Sequence, residues 1–125
     1  MKHIYIDSNK KGHYSPAVIS NNMVYISGQL PIDYKSGKFV EGNIENQCLQ
    51  VLKNIQLILK KVDLTINSIV QTRVYISDIS YWDIVNEMYA NFFKDHKPSR
   101  VIVPTRELHH GALIEIEAIA EMESN

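Results

Sequence analysis

The chain has 125 residues, of which 45% are hydrophobic and 22% charged, and its formal net charge is −1. These values suit a globular protein of one domain and supply no excess of positive charge for binding nucleic acid. A single cysteine excludes an internal disulfide. Without a signal sequence or an apolar run long enough to cross a membrane, the chain is expected in the cytoplasm, with no membrane partner.

The first third of the chain is predicted to form three strands. Residues 2–6 alternate apolar and polar side chains, as a short strand does. Residues 17–20 and 23–28 flank two asparagines, which tolerate the positive φ angles of a tight hairpin turn. Pro, Asp and Gly within residues 31–40 then predict a loop before the first helix.

A first helix is predicted over residues 44–59. Asn43 suits the position that caps its N-terminus. Cys48 lies on the apolar side of this helix, so we expect a core residue rather than a nucleophile. The apolar residues that recur at helical spacing are Ile44, Cys48, Val51, Leu52, Ile55, Ile58 and Leu59.

The second half of the chain is predicted to alternate between strands and one further helix. Residues 67–77 form the clearest strand, in which long side chains should point away from the core. Its core-facing residues are predicted to be Val70, Thr72, Val74 and Ile76. The helix is expected to begin at Ser80, with Asp83 completing a near capping box, and to end before Pro98. Its buried residues are predicted to be Tyr81, Ile84, Val85, Met88, Tyr89 and Phe92.

Two more strands, over residues 100–104 and 113–121, complete the predicted order β-β-β-α-β-α-β-β. This order predicts an α+β fold with a mixed six-stranded sheet and both helices on one face. In the last strand one side is apolar, whereas the other is mixed and carries Leu113, Glu115, Glu117 and Ile119. That mixed side faces either solvent or an interface, and its apolar residues favour an oligomer.

Six segments, in this order, resemble the Rid family of imine/enamine deaminases, also called the YjgF family. They are GHYSPAV (12–18), YISGQLPID (25–33), GNIENQCLQVLKNIQLIL (42–59), IVQTRVYISDISYWDIVNEMY (69–89), PSR (98–100) and LIEIEAIAEM (113–122). The resemblance implies a chorismate-mutase-like domain spanning residues 1–125 and a homotrimer with ligand sites between subunits. It also implies hydrolysis of 2-imino acids and their enamines (2-iminobutanoate, 2-iminopropanoate and 2-aminoacrylate) to 2-keto acids and ammonia, without a cofactor or a metal.

The resemblance assigns substrate binding to Arg100, in the PSR segment. A guanidinium stays protonated and offers a planar fork of donors to both oxygens of a carboxylate. From the residues alone, a salt bridge between Arg100 and Glu115 or Glu117 is an equally open interpretation.

The resemblance assigns the attacking water to Glu115. Hydrolysis of an imine needs water at the C=N carbon and a proton on nitrogen, and a carboxylate within reach serves as the base. Glu117 shares the same side of the strand, but the first glutamate of LIEIE matches the family, so Glu117 is interpreted as structural.

Four further residues are expected around the site by resemblance. Tyr14 is expected to line the cleft as a third catalytic residue, although His13 and Pro16 depart from the family's usual loop. Gly28 and Ser27 are expected to contact the substrate, because a residue without a side chain allows close approach of the backbone. Ile102, where the archetype often has cysteine, makes the expected substrate site more apolar. Asn86 is interpreted as a structural hydrogen bonder.

Residues 103–111 depart most from the resemblance and predict a change in substrate preference. His109 and His110 are adjacent there, yet neighbouring strand residues point to opposite faces and lack the spacing of a metal site. No metal is therefore expected.

Two other classes of function remain open. In one, the same fold binds a small carboxylate as a regulator without turnover, since fold alone does not fix function. In the other, the protein acts on RNA, as some names in the family suggest, but the near-neutral charge argues against it.

Overall fold

The computed structural model describes residues 1–6 and 12–123. Over these residues, the strands are β1 (Lys2–Ile4), β2 (Ala17–Ser20), β3 (Met23–Gln29), β4 (Ile69–Ile76), β5 (Ser99–Pro104) and β6 (Ile114–Glu121). The helices are α1 (Ile44–Lys61) and α2 (Trp82–Phe93), with short 3-10 turns at Ile66–Ser68, Ile79–Tyr81 and His109–Gly111. The predicted order of elements is confirmed, with boundaries shifted by one or two residues.

The strands form one mixed sheet in the order β1-β2-β3-β6-β4-β5. Only the β4–β5 pair is parallel among these neighbours. Helix α1 packs on β6 and β3 and against α2, and α2 contacts β4 through a hydrogen bond of Tyr89 to Thr72. The predicted α+β fold, with both helices on one face, is confirmed.

Helix α1 forms where its apolar periodicity predicts it. The side chain of Asn43 accepts a hydrogen bond from the backbone N–H of Asn46 at 2.9 Å and so caps the helix, as predicted. All seven predicted apolar residues are buried. Cys48 is 0% exposed, and burial raises the pKa of its thiol to about 12. A thiol so resistant to ionisation is a poor nucleophile, which agrees with the predicted core role.

Strand β4 departs from simple alternation at Val70. Ile69 pairs with Ala120 while Gln71 pairs with Ile119, so the pairing slips by one residue between them. Val70 is the extra residue of this β-bulge and is 42% exposed, so its predicted place in the core is wrong. Alternation resumes beyond the bulge, where the other predicted core residues are buried.

Helix α2 begins later than predicted, but its predicted buried face is confirmed except at Ile84. Asp78, rather than Ser80, provides the cap: its carboxylate accepts a hydrogen bond from the N–H of Ser80 at 2.8 Å and starts a 3-10 turn before Trp82. The predicted capping box is therefore wrong. Val85 and Tyr89 are buried as predicted, and Tyr81, Met88 and Phe92 pack partly buried against the core. Ile84 is 36% exposed, and Phe93 is buried in addition.

None of the helices in the described part of the chain combines the length and apolar character needed to cross a membrane.

The buried amide of Asn54 fixes the loop that follows β3. This side chain is 3% exposed, and its Nδ2 donates to the carbonyl oxygens of Leu30 and Ile32 at 3.1 and 2.9 Å. Its Oδ1 accepts from Gln50 at 2.8 Å. One amide from α1 thus satisfies two carbonyls of a loop that has little regular structure.

We expect Asn54→Ala to lower the free energy of unfolding by about 1–3 kcal/mol. It removes the donor to the carbonyl of Ile32 and the acceptor of Gln50, while the carbonyl of Leu30 keeps the N–H of Ile32. Urea denaturation at equal protein concentrations measures the change. Lys53→Ala, at an exposed position of the same helix, serves as the control and should change stability by less than about 0.5 kcal/mol. A loss no larger in Asn54→Ala than in the control would contradict this role.

Candidate active site

Arg100 lies on the helix side of the sheet, on the edge strand β5. It pairs in register with Thr72, whose side chain points to the same face and bonds to α2. The Nη1 of Arg100 donates to the side-chain oxygen of Asn86 at 2.9 Å. A salt bridge to Glu115 or Glu117, the open alternative from the sequence, is not the arrangement found. Glu117 instead binds Arg73, with 3.1 Å between oxygen and nitrogen.

Two aromatic rings of α2 further restrict the guanidinium of Arg100. Its central carbon lies 4.8 Å from the ring centroid of Tyr89 and 5.6 Å from that of Trp82. Tyr89 is itself fixed, being 6% exposed and hydrogen-bonded through its hydroxyl to Thr72 at 2.8 Å. Burial raises the pKa of Tyr89, so the ring remains a neutral support beneath the cation.

Asn86 is a positioning residue that the sequence did not reveal as one. It occupies Nη1 of Arg100, and no acceptor in residues 1–6 and 12–123 contacts the Nε or Nη2 donors of the same group. Those two donors form the edge that a carboxylate binds in a fork. In the sequence, Asn86 is only a polar residue three positions before Tyr89, which is predicted to be buried. A polar residue at such a position in a helix usually has a structural role.

Glu115 lies on the opposite side of the sheet. It pairs with Tyr75 on β4, and its carboxylate packs directly on Gly28, where any side chain at residue 28 would overlap it. Gly28 is accessible to it because β3 bulges there: Ile26 pairs with Ala118 but Gln29 with Ile116. The sequence predicted that a ligand would approach the backbone closely at Gly28. Within one chain, the group that approaches Gly28 is the carboxylate of Glu115.

The two glutamates of β6 have different surroundings. Glu117 accepts hydrogen bonds from Arg73 and from the hydroxyl of Tyr75, at 3.1 and 3.0 Å. Glu115, in contrast, receives no hydrogen bond from the residues that the structure describes. Burial raises the pKa of Glu115, the negative charge of Glu117 raises it further, and His109 opposes the shift. A half-buried carboxylate without a donor is suited to accept a proton from water.

Tyr14 belongs to the segment of residues 12–16 that precedes β2, and Ser27 on β3 is hydrogen-bonded to that segment. The ring of Tyr14 packs over Gly12 and is 59% exposed. Ser27 donates its hydroxyl to the carbonyl of Ser15 at 2.6 Å, and its N–H bonds to the carbonyl of Pro16 at 2.9 Å. In this structure, Ser27 thus holds the segment that carries Tyr14.

Within one chain, the predicted site residues form two separate groups. Arg100 and Ile102 lie on the helix side of β5, whereas Glu115, Gly28 and Tyr14 surround the end of β3. Strand β4 separates β5 from β6, so the backbones of Arg100 and Glu115 are about 10 Å apart across the strands and about 10 Å along them. Their side chains also point to opposite faces, so they do not meet in one chain.

The divergent segment 103–111 ends in a turn that contains both adjacent histidines. His110 adopts a left-handed φ of 61°, and its ring centroid lies 3.9 Å from that of His109. Within residues 1–6 and 12–123, no group of three or more His, Cys, Asp or Glu side chains is arranged to hold a metal ion.

Comparisons with known proteins give a consistent picture. The family model described as Endoribonuclease L-PSP matches residues 7–122. A RutC family protein of Pyrococcus horikoshii is 43% identical over 90% of this chain and 89% of its own. The 2-iminobutanoate/2-iminopropanoate deaminase of Homo sapiens is 39% identical over 87% of this chain and 80% of its own. The crystal structure of the E. coli YjgF gene product superposes with a TM-score of 0.90 at 32% identity, covering 98% of this chain and all of that one (100%).

Proposed function

Because the chain belongs to the YjgF/Rid family, whose model is described as Endoribonuclease L-PSP, we propose that it hydrolyses reactive 2-imino acids to 2-keto acids and ammonia. The substrates would be 2-iminobutanoate, 2-iminopropanoate and 2-aminoacrylate, in the cytoplasm and without a cofactor. Relatives with the corresponding deaminase name are 38–39% identical to this chain. The observation that carries the proposal is the fixed guanidinium of Arg100, with one edge held by Asn86 and the other open to a carboxylate.

The proposed reaction begins when the substrate carboxylate binds the open edge of Arg100. Glu115 then takes a proton from a water molecule as its oxygen attacks the carbon of the C=N group, whose nitrogen is already protonated as an iminium. The tetrahedral intermediate so formed carries a hydroxyl and an amino group on one carbon. Glu115 passes its proton to the amino nitrogen and then takes the hydroxyl proton as the C–N bond breaks, which releases ammonia and leaves the keto acid. An enamine substrate first shifts a proton to its terminal carbon to become the imine.

The proposed site needs more than one copy of the chain. Arg100 and Glu115 lie too far apart, on opposite faces of the sheet, to hold one small substrate within a single chain. The Glu115 side of the sheet also exposes apolar residues, including Tyr25 and Val101. We therefore propose a homotrimer in which Arg100 of one copy faces Glu115, Gly28 and Tyr14 of another.

A coupled assay tests this function. A threonine dehydratase generates 2-iminobutanoate in the presence of a trapping amine, and keto-acid release is followed with and without the protein. We expect faster keto-acid release and less trapped imine. Equal rates with folded, oligomeric protein would exclude the deaminase function for this substrate and favour the regulatory carboxylate-binding alternative.

The raised pKa of Glu115 predicts the pH dependence of the reaction. Because the base must be ionised, activity should fall on the acid side at a higher pH than an ordinary glutamate would give. Glu117→Gln removes a negative neighbour, and this change lowers the pKa of Glu115. The acid limb of kcat/KM should therefore move to lower pH.

Carbon-13 NMR titration of the Glu115 carboxyl group measures the same shift without substrate. Glu121→Gln, at the exposed end of β6, is the control and should leave the titration unchanged. An unchanged titration of Glu115 in the Glu117→Gln variant would show that the charge of Glu117 does not raise the pKa of Glu115.

A further inference from the structure

A cavity of about 530 Å³ opens beside Gly28 and Tyr14. It extends from the end of β3 beneath the loop of residues 29–41 and reaches His110 of the divergent segment. Gly28 also supports the carboxylate of Glu115, so the cavity begins where the proposed attack takes place. Small-molecule sites typically occupy about 300–1,000 Å³, and a substrate with a methyl or ethyl side chain would leave most of this space empty.

The inner polar groups of this cavity are already satisfied by the protein. Gln29 donates to the carbonyl of Ser27 at 3.0 Å and accepts from the hydroxyl of Tyr34 at 2.8 Å. Asn54 is saturated by the loop carbonyls and by Gln50. A ligand therefore gains little by offering further hydrogen bonds to these groups, and apolar side chains provide part of the remaining contact surface.

Three side chains provide that apolar surface: Leu30, Ile32 and Phe39. Ile32 and Phe39 form an isolated antiparallel bridge, reinforced by a backbone bond from Asp33 to Lys38 at 2.9 Å, so the two walls are held opposite each other. The ring centroid of Phe39 lies 6.2 Å from that of His110, in an edge-on contact that closes one end. Backbone pairing between residues 32–33 and 38–39 therefore fixes the positions of the apolar walls of the cavity.

The charges at the cavity are negative. Asp33 and Glu41 line it, and the Asp33 carboxylate already accepts from the backbone of Lys35 at 2.9 Å. An acidic ligand side chain would be repelled by both carboxylates. The walls and charges together select an uncharged, apolar or aromatic group.

We propose that this cavity is the subsite for the substrate side chain, and that it admits imino acids with aromatic or long apolar side chains while rejecting acidic ones. This inference rests on the proposed function, because Glu115 beside Gly28 defines where the reacting carbon lies. It assigns specificity to Ile32 and Phe39, which touch the side chain rather than the reacting atoms.

Imines generated in situ by an amino-acid oxidase, with catalase present, provide the test. The wild type should hydrolyse the phenylalanine-derived imine with a kcat/KM at least equal to that for the alanine-derived imine, and the glutamate-derived imine at least about 10-fold less well. Ile32→Phe narrows the cavity and should lower kcat/KM for the phenylalanine-derived imine by about 10–50-fold, with the alanine-derived imine changed less than about twofold. Ile79→Phe, at an exposed position, is the matched control.

Phe39→Ala removes a wall and should selectively lower kcat/KM for the phenylalanine-derived imine by about 10-fold, which provides a second variant. Equal losses for large and small imines in both variants, or a wild type that rejects the large imine, would overturn the subsite. Binding of phenylpyruvate and pyruvate, followed by NMR, separates this failure from failure of the proposed function. If no imine is hydrolysed, but Ile32→Phe weakens phenylpyruvate binding alone, the function is wrong and the subsite stands. If phenylpyruvate binding is unchanged, the subsite is wrong.

Discussion

Arg100→Ala is expected to lower kcat/KM for 2-iminobutanoate by about 10²–10⁴-fold. In the proposed function, the substitution removes two charge-assisted hydrogen bonds to the substrate carboxylate, each contributing about 1.5–3 kcal/mol. Arg100→Lys keeps the charge but loses the planar fork, so it should recover only part of the activity. The coupled dehydratase assay measures both variants, with circular dichroism to confirm that each is folded.

Lys97→Ala is the control for the loss of a positive charge near Arg100. Lys97 is exposed and lies three residues before Arg100, ahead of β5, so its removal should change kcat/KM by less than about threefold. An Arg100→Ala variant that behaves like this control would mean that another group binds the carboxylate. The site would then have to be sought away from β5.

Glu115→Gln is expected to lower kcat by about 10²–10⁴-fold while changing KM little. Glutamine keeps the shape that packs on Gly28 but cannot accept the proton of the attacking water. The steady-state kinetics separate the two parameters, and loss of kcat alone identifies an interaction made in the transition state.

Glu117→Gln provides the matched comparison on the same strand. It should retain kcat within about tenfold at pH values where Glu115 is ionised, because the carboxylate of Glu117 is already hydrogen-bonded to Arg73 and Tyr75. If Glu117→Gln lost as much kcat as Glu115→Gln, the two glutamates would have to be assigned as one catalytic unit. If Glu115→Gln kept its kcat, the base would lie elsewhere.

Local signals in the sequence predicted most of the fold. The seven apolar residues of α1 and the cap at Asn43 depend on spacing and chemistry within one helix, and both were confirmed. The position of Val70 depends instead on how β4 pairs with β6, two segments that are far apart in sequence. In α2 the predicted buried face was confirmed except at Ile84, whereas its start was missed because Asp78 caps a 3-10 turn before the helix.

The candidate site was less accessible to sequence reasoning than the fold. Strand alternation correctly placed Glu115 and Glu117 on one side of β6, but it could not relate that side to Arg100 on β5. That relation depends on the parallel register of β4 with β5, which puts Arg100 beside Thr72 and α2. Asn86 was interpreted as structural because its partner lies 14 residues away and is brought near only by packing.

The central claim is that Arg100 of one copy acts with Glu115 of another. Coexpression of Arg100→Ala and Glu115→Gln chains with different tags, followed by purification on both tags, yields mixed oligomers. In a mixed cyclic trimer about one site in three pairs an intact Arg100 with an intact Glu115, so activity should return to about a third of the wild-type value. Mixed trimers as inactive as either parent would contradict the account and show that the two residues do not act across a subunit boundary.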